Sequence, residues 1–143
     1  MDSEQIAQNF HNLALSLAPM PSIKKVVPEE LKNYYLVWDG ETVEEIATGA
    51  KISEHNWSQK ITKIDNLCKD FLDGRIKQTQ IFVVKDTNRS EMLIIDGIHR
   101  SVGFYKAFLK DPTVNSKTNF TYKLFESDRI REMGDYKRIF EAT

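Results

Sequence analysis

The densest chemistry in the chain lies in Asp96-Gly97-Ile98-His99-Arg100-Ser101, directly after the apolar run Leu93-Ile94-Ile95. The order of residue types reads as a buried strand running into a tight Asp-Gly turn that opens onto a helix. The first turn of such a helix gathers backbone N–H groups and the positive end of the helix dipole at one point. Gly97 allows a ligand, or an unusual backbone angle, close to that point. His99 adds a donor whose charge changes near neutral pH, and Arg100 adds a permanent two-pronged cation. Together Gly97, Ile98, His99, Arg100 and Ser101 are expected to form a receptor for a phosphate or carboxylate. Asp96 supplies an acid at the same corner, able to cap the helix, orient His99, bind Mg²⁺ or act as a base. Asp96, His99 and Arg100 are therefore the candidate catalytic residues.

Other chemistry-bearing residues are sparser. The segment Trp38-Asp39-Gly40-Glu41 reads as a turn, or as a loop bringing Asp39 or Glu41 to the phosphate corner as an acid for metal binding or proton transfer. Glu44 and Glu45 share that ambiguity. His11 and His55 lack Cys, Asp or His neighbours at ligand spacing, so a zinc site is not expected. Ser101 is not set in a Gly-x-Ser-x-Gly elbow, which leaves a hydrolase triad without support. The single cysteine, Cys68, falls on an apolar helical stripe, where it reads as a small core residue. Phe104 and Tyr105 also read as core, as does Trp57. Lys24-Lys25 and Arg129-Ile130-Arg131 read as a solvated face.

These residues need elements to position them. Ile6, Phe10, Leu13 and Leu17 recur at helical spacing, with Ser3 as N-cap and Pro19 and Pro21 as terminators. That helix either packs on the domain or serves as a dimer arm. Pro28-Glu29-Glu30 suits the first turn of a short helix. Tyr34–Trp38 reads as a strand ended by Asp39-Gly40, and Glu41–Ala47 as a helix. From Ser53 to Asp73 a stripe of Trp57, Ile61, Ile64, Cys68, Phe71 and Leu72 predicts a helix stopped by Gly74. Gln80–Lys85 and Glu91–Ile95 predict a hairpin around Asp86–Ser90. A helix follows with Ile98, Val102, Tyr105 and Leu109 on one face, stopped at Asp111-Pro112. A loop through Lys117, a strand Phe120–Phe125 and a last helix from Ser127 to about Phe140 complete the reading. Mixed elements in a short chain predict an α+β fold, a small mixed β-sheet flanked by helices.

The run Leu-Ile-Ile-Asp-Gly-Ile-His-Arg, with the preceding Ile-Phe-Val-Val strand, resembles the signature of the ParB/sulfiredoxin-like superfamily. The likeness covers about residues 76–110. It implies an anion-binding corner used for nucleotide phosphates, as in CTP-binding partition proteins, ATP-dependent sulfiredoxins and free-serine kinases. The implied ligands are ATP, ADP or CTP with Mg²⁺. Sulfiredoxins place a catalytic cysteine just before His-Arg, where this chain has Ile98, so that activity is not expected. Partition proteins carry a Glu-Arg-Arg turn followed by a helix-turn-helix domain, for which no stretch of this sequence is left. The resemblance is nearest to the stand-alone Asp-Gly-x-His-Arg branch, which includes ParB-like nucleases and free-serine kinases.

Composition bounds these readings. At 143 residues, with 41% hydrophobic and 29% charged residues, the chain suits one globular domain, residues 19–143, preceded by the helix of 1–18. A net charge of −1 argues against a polybasic nucleic-acid coat. It conceals a split: residues 1–75 sum to −4 and residues 76–143 to +3, which marks either a site for an anionic ligand in the second half or a chance distribution on a solvated surface. One cysteine excludes an intramolecular disulfide. No basic-capped apolar leader and no bilayer-length apolar run is present, so the expected setting is cytoplasmic, away from the membrane. The favoured expectation is a small phosphotransferase or phosphohydrolase acting on a nucleotide or phosphorylated small molecule. The alternatives are a nucleic-acid-binding or nuclease module, and a non-catalytic interaction protein that pairs as a homodimer.

Overall fold

The structure, a computed structural model, describes residues 20–36, 41–49, 57–88 and 90–128, together with Gln5, Gln8, Asn9 and Asn12; of residues 57–59 it describes the backbone alone. In chain order the elements are β1 (Ser22–Lys25), α1 (Pro28–Leu31), β2 (Tyr35–Leu36), α2 (Val43–Ala47), α3 (Trp57–Leu72), β3 (Gln78–Asp86), β4 (Leu93–Asp96), α4 (Ile98–Lys110), α5 (Val114–Lys117) and β5 (Asn119–Ser127). They form an α+β fold around one mixed sheet of order β1-β5-β3-β4-β2.

The apolar run Ile81–Val84, buried throughout, makes β3 the sheet's central strand. Such a run must be covered on both faces, which suits an interior position. β5 lies parallel to β3 from Gln78↔Asn119 to Asp86↔Ser127, and β4 returns antiparallel on the other side. The predicted hairpin of β3 and β4 is therefore present. Its ladder is irregular: Val83 pairs with Ile94 but Phe82 pairs with Asp96, so Ile95 is an extra residue on β4. A bulge of this kind turns the strand locally and re-aims the side chains beyond it. On the far edge β2 runs parallel to β4, with Tyr35 opposite Leu93 and Leu36 opposite Ile94.

Helices α3 and α4 cross closely because Gly103 presents no side chain at the crossing. A Cβ there would stand 2.9 Å from Leu67 Cβ and 3.2 Å from the Ile64 carbonyl. Beneath the crossing Phe71, Phe104 and Phe120 form a fully buried triad, with Phe71–Phe104 and Phe104–Phe120 edge-to-face at 5.1 and 4.7 Å. Pairs of this geometry add to the stabilisation from burial alone, by about 1 kcal/mol each. The triad ties both helices to β5, and so fixes where α4 leaves the sheet.

Several expectations need correction. β1 and α5 were not anticipated: Ser22–Lys25 is exposed at every position and is held by its ladder to β5 rather than by burial. Residues 112–117, expected as loop, include the short helix α5, whose entry is tied by Asp111 accepting bonds from the Thr113 amide (3.0 Å) and hydroxyl (2.7 Å). Ile61 and Leu109 were placed on buried stripes, yet they are 43% and 53% exposed. Both have the right helical angle but lie beyond the area their neighbours cover. The helix expected from Ser127 does not start there, since Ser127 ends β5, and its remainder after Asp128 lies outside the described residues. The expected hydrophobic face at Ile6, Phe10, Leu13 and Leu17, the helix start at Ser53 and the side chain of Trp57 also lie outside them. Gln5, Gln8, Asn9 and Asn12 are helical.

Candidate functional site

The Asp-Gly turn sits between β4 and α4, as the residue order implies. Gly97 is the N-cap of α4 and adopts φ 90° and ψ 26°, a left-handed conformation. An added Cβ would stand 2.5 Å from Ile81 Cγ2 and 3.0 Å from Arg100 Nη2. Glycine is thus required twice, by backbone angle and by close approach to β3. The first intrahelical bond runs from the Ser101 amide to the Gly97 carbonyl at 2.9 Å. The amides of Ile98, His99 and Arg100 lie ahead of it, at the positive end of the helix dipole.

Arg100 folds back against the sheet. Its Nη1 donates to the Gln80 carbonyl at 2.8 Å and to Thr79 Oγ1 at 3.2 Å, while Nη2 stands 3.6 Å from Asp96 Oδ2. The guanidinium therefore straps α4 to β3. The pairing with Asp96 is half exposed and long, which makes it a weak contact. Asp96 makes no cap bond to the helix; Gly97 occupies the cap position and has no side chain to cap with.

His99 differs from its expected titration near neutral pH. Burial, followed by the positive charges of Lys63 and Lys60, lowers its pKa from 6.5 to about 4. At pH 7 the ring is neutral and offers one N–H and one lone pair. Both lysines belong to α3, and neither was among the candidate site residues read from the sequence. Lys60 and Lys63 are one helical turn apart on α3 and near enough to His99 for their charge to oppose its protonation. No spacing in the sequence signals this, because the approach of α3 to α4 is a tertiary event.

The remaining candidates separate. Ile98 is buried, leaving its amide as the group it can offer. Ser101 is fully buried, and its hydroxyl donates to the Gly97 carbonyl at 2.8 Å, so its side chain faces the core rather than the corner. Phe104 belongs to the aromatic triad. Tyr105 is buried and its hydroxyl donates to Glu44 Oε2 at 3.3 Å, which joins α4 to α2. Glu45 closes a capping box with Thr42 at the start of α2. Both acids thus have structural partners. Asp39 lies outside the described residues. The Glu41 carbonyl accepts from the Leu36 amide at 2.8 Å, and Leu36 pairs with Ile94, so Glu41 emerges at the same end of the sheet as Asp96.

No group of three His, Cys, Asp or Glu residues able to hold a metal ion occurs among the described residues. His11 and His55 lie outside them. Cys68 is buried against α4, and burial pushes its thiol pKa up, away from a reactive thiolate. Among the described residues no helix is long and apolar enough to cross a membrane. What the corner assembles is a glycine turn, three leading helix amides, a neutral imidazole and a strapped guanidinium. Searches against family models, curated proteins and solved structures returned no match to this chain.

Proposed function

We propose that the chain is a nucleotide-phosphate-binding domain of ParB/sulfiredoxin-like type, and that the Gly97–Arg100 corner serves a small phosphotransferase or phosphohydrolase. The observation that carries the reading is the left-handed Gly97 at the mouth of α4, with the Arg100 guanidinium held beside the turn. Helix-end amides and cations are complementary to a phosphate group, and the amides and the Arg100 guanidinium are held before any ligand arrives. The mixed sheet with a β4–turn–α4 unit at its heart supports the family assignment as a compatible architecture.

In this reading the amides of Ile98 and His99 hold phosphate oxygens, and Arg100, already oriented by Gln80 and Thr79, stabilises charge on the transferred group. His99 is a neutral hydrogen-bond donor, since a base with a pKa of about 4 is a poor proton acceptor at pH 7. Asp96 is the acid nearest the corner, with its carboxylate half exposed. Mg²⁺, which commonly binds through one or two carboxylates and substrate phosphates, fits Asp96 and Glu41 better than an all-protein cage. When bound it would neutralise phosphate charge.

The test is thermal melting with ATP, ADP and CTP in the presence of Mg²⁺. A ligand that binds only the folded state raises the transition, by about 2.7 kcal/mol at a hundredfold excess over its dissociation constant. Lys63→Gln should shrink the shift without lowering the unliganded melting temperature, because Lys63 is exposed. Absence of a shift with every nucleotide at millimolar concentration would overturn the reading.

A further inference from the structure

At the opposite end of β4 from Gly97, a separate cleft of about 510 Å³ has Glu30, Tyr34, Tyr35, Glu91, Met92 and Tyr122 in its lining. Its character is the reverse of the corner's. Its lining pairs the partly exposed Tyr35 and Met92 with the buried Tyr34 and Tyr122 and the exposed Glu30 and Glu91, and the described lining contains no lysine, arginine or histidine. Tyr34 and Tyr122 are buried and meet edge-to-face at 6.0 Å, so that part of the wall is rigid. Tyr35 is 37% exposed and its amide is fixed by a 2.9 Å bond to the Met92 carbonyl. Glu30 and Glu91 are exposed, and neither makes an ion pair among the described residues. Glu30 is nevertheless near enough to Tyr34 for its charge to oppose ionisation of the buried phenol.

Aromatic faces attract cations through their quadrupoles, and thioether sulfur packs well against methyl groups. The exposed carboxylates add charge attraction. Anions are disfavoured on the same grounds. From this combination we propose that the cleft bounded by Tyr34, Tyr35, Met92 and Tyr122, with Glu30 and Glu91 in its lining, binds the alkylammonium group of an organic cation. The ligand is a free quaternary ammonium compound or a methylated lysine side chain, which share this chemistry. It is independent of the phosphate reading, since it uses none of the corner's residues.

The experiment titrates the full chain with choline, with its uncharged isostere 3,3-dimethylbutan-1-ol and with N-acetyl-trimethyllysine amide, at constant ionic strength, following amide shifts by NMR. Choline or the lysine derivative should bind saturably with a dissociation constant of about 1 mM or below, moving the amides of Tyr35, Glu91 and Met92. The isostere should bind at least about fivefold more weakly, the scale of one cation–π contact. Tyr35→Leu, which keeps bulk in β2 but removes the ring, and Glu91→Gln should each weaken the cation by a similar factor, and Glu91→Gln, at an exposed position, should leave the melting temperature unchanged. The tighter of the two cations identifies the source. Equal binding of the isostere, no saturation with either cation at about 10 mM, or unchanged affinity in both variants would overturn the proposal.

Discussion

Gly97 concentrates the demands of the corner in one residue. Its φ of 90° excludes most side chains, and the Ile81 methyl stands where a Cβ would be. Gly97→Ala should cost about 2–4 kcal/mol, combining left-handed strain with overpacking, and chemical denaturation measures it. His99 sets a second expectation at this scale. Its folded pKa of about 4 lies below the unfolded value near 6.5, so the unfolded chain binds more protons between those values. The stability due to neutral His99 is fully present above pH 6.5 and is lost as pH falls toward 4. The loss should be about 2 kcal/mol after allowance for solvent screening, and His99→Gln should flatten that part of the pH–stability curve. The residue types at the corner were legible in the sequence; the state of His99 was not. Asp, Gly, His and Arg announce themselves by identity and order, whereas a pKa depends on which charges another helix brings near.

Elements divide in the same way. The hairpin of β3 and β4 and the helices α3 and α4 were readable because burial imposes a period on the sequence, as Ile81–Val84 and Ile64, Cys68 and Phe71 show. β1 carries no such signal, since Ser22–Lys25 contributes backbone bonds to β5 and buries nothing. The extra residue Ile95 was invisible for a related reason: a bulge is a property of two paired strands. Helix packing is where a single atom should be most costly. Gly103→Ala improves helix propensity by about 1 kcal/mol, yet its Cβ would meet Leu67 at 2.9 Å and the backbone of Ile64 and Cys68. The crossing should lose, with net destabilisation of about 1–2 kcal/mol in a denaturant series. Strand-to-helix strapping by Arg100 belongs here as well. Arg100→Ala should lower stability by about 1–2 kcal/mol through loss of the bond to the Gln80 carbonyl, in addition to any loss of ligand binding.

Across the whole molecule the linear charge split turns out to be a poor map. The basic second half supplies Arg100, but Lys60 and Lys63, whose charges act on His99, come from the acidic first half through α3. Glu30 and Glu91, from the two halves of the chain, likewise meet at the tyrosine cleft before β4. The central claim is that the leading amides of α4 are a phosphate receptor. The most direct measurement is an NMR titration of the full chain with Mg²⁺ and ATP, ADP or CTP, following the amides of Ile98, His99 and Arg100. Saturable shifts centred on those three amides, accompanied by a rise in the His99 pKa, are predicted. Unmoved amides at millimolar concentrations of all three nucleotides would contradict it.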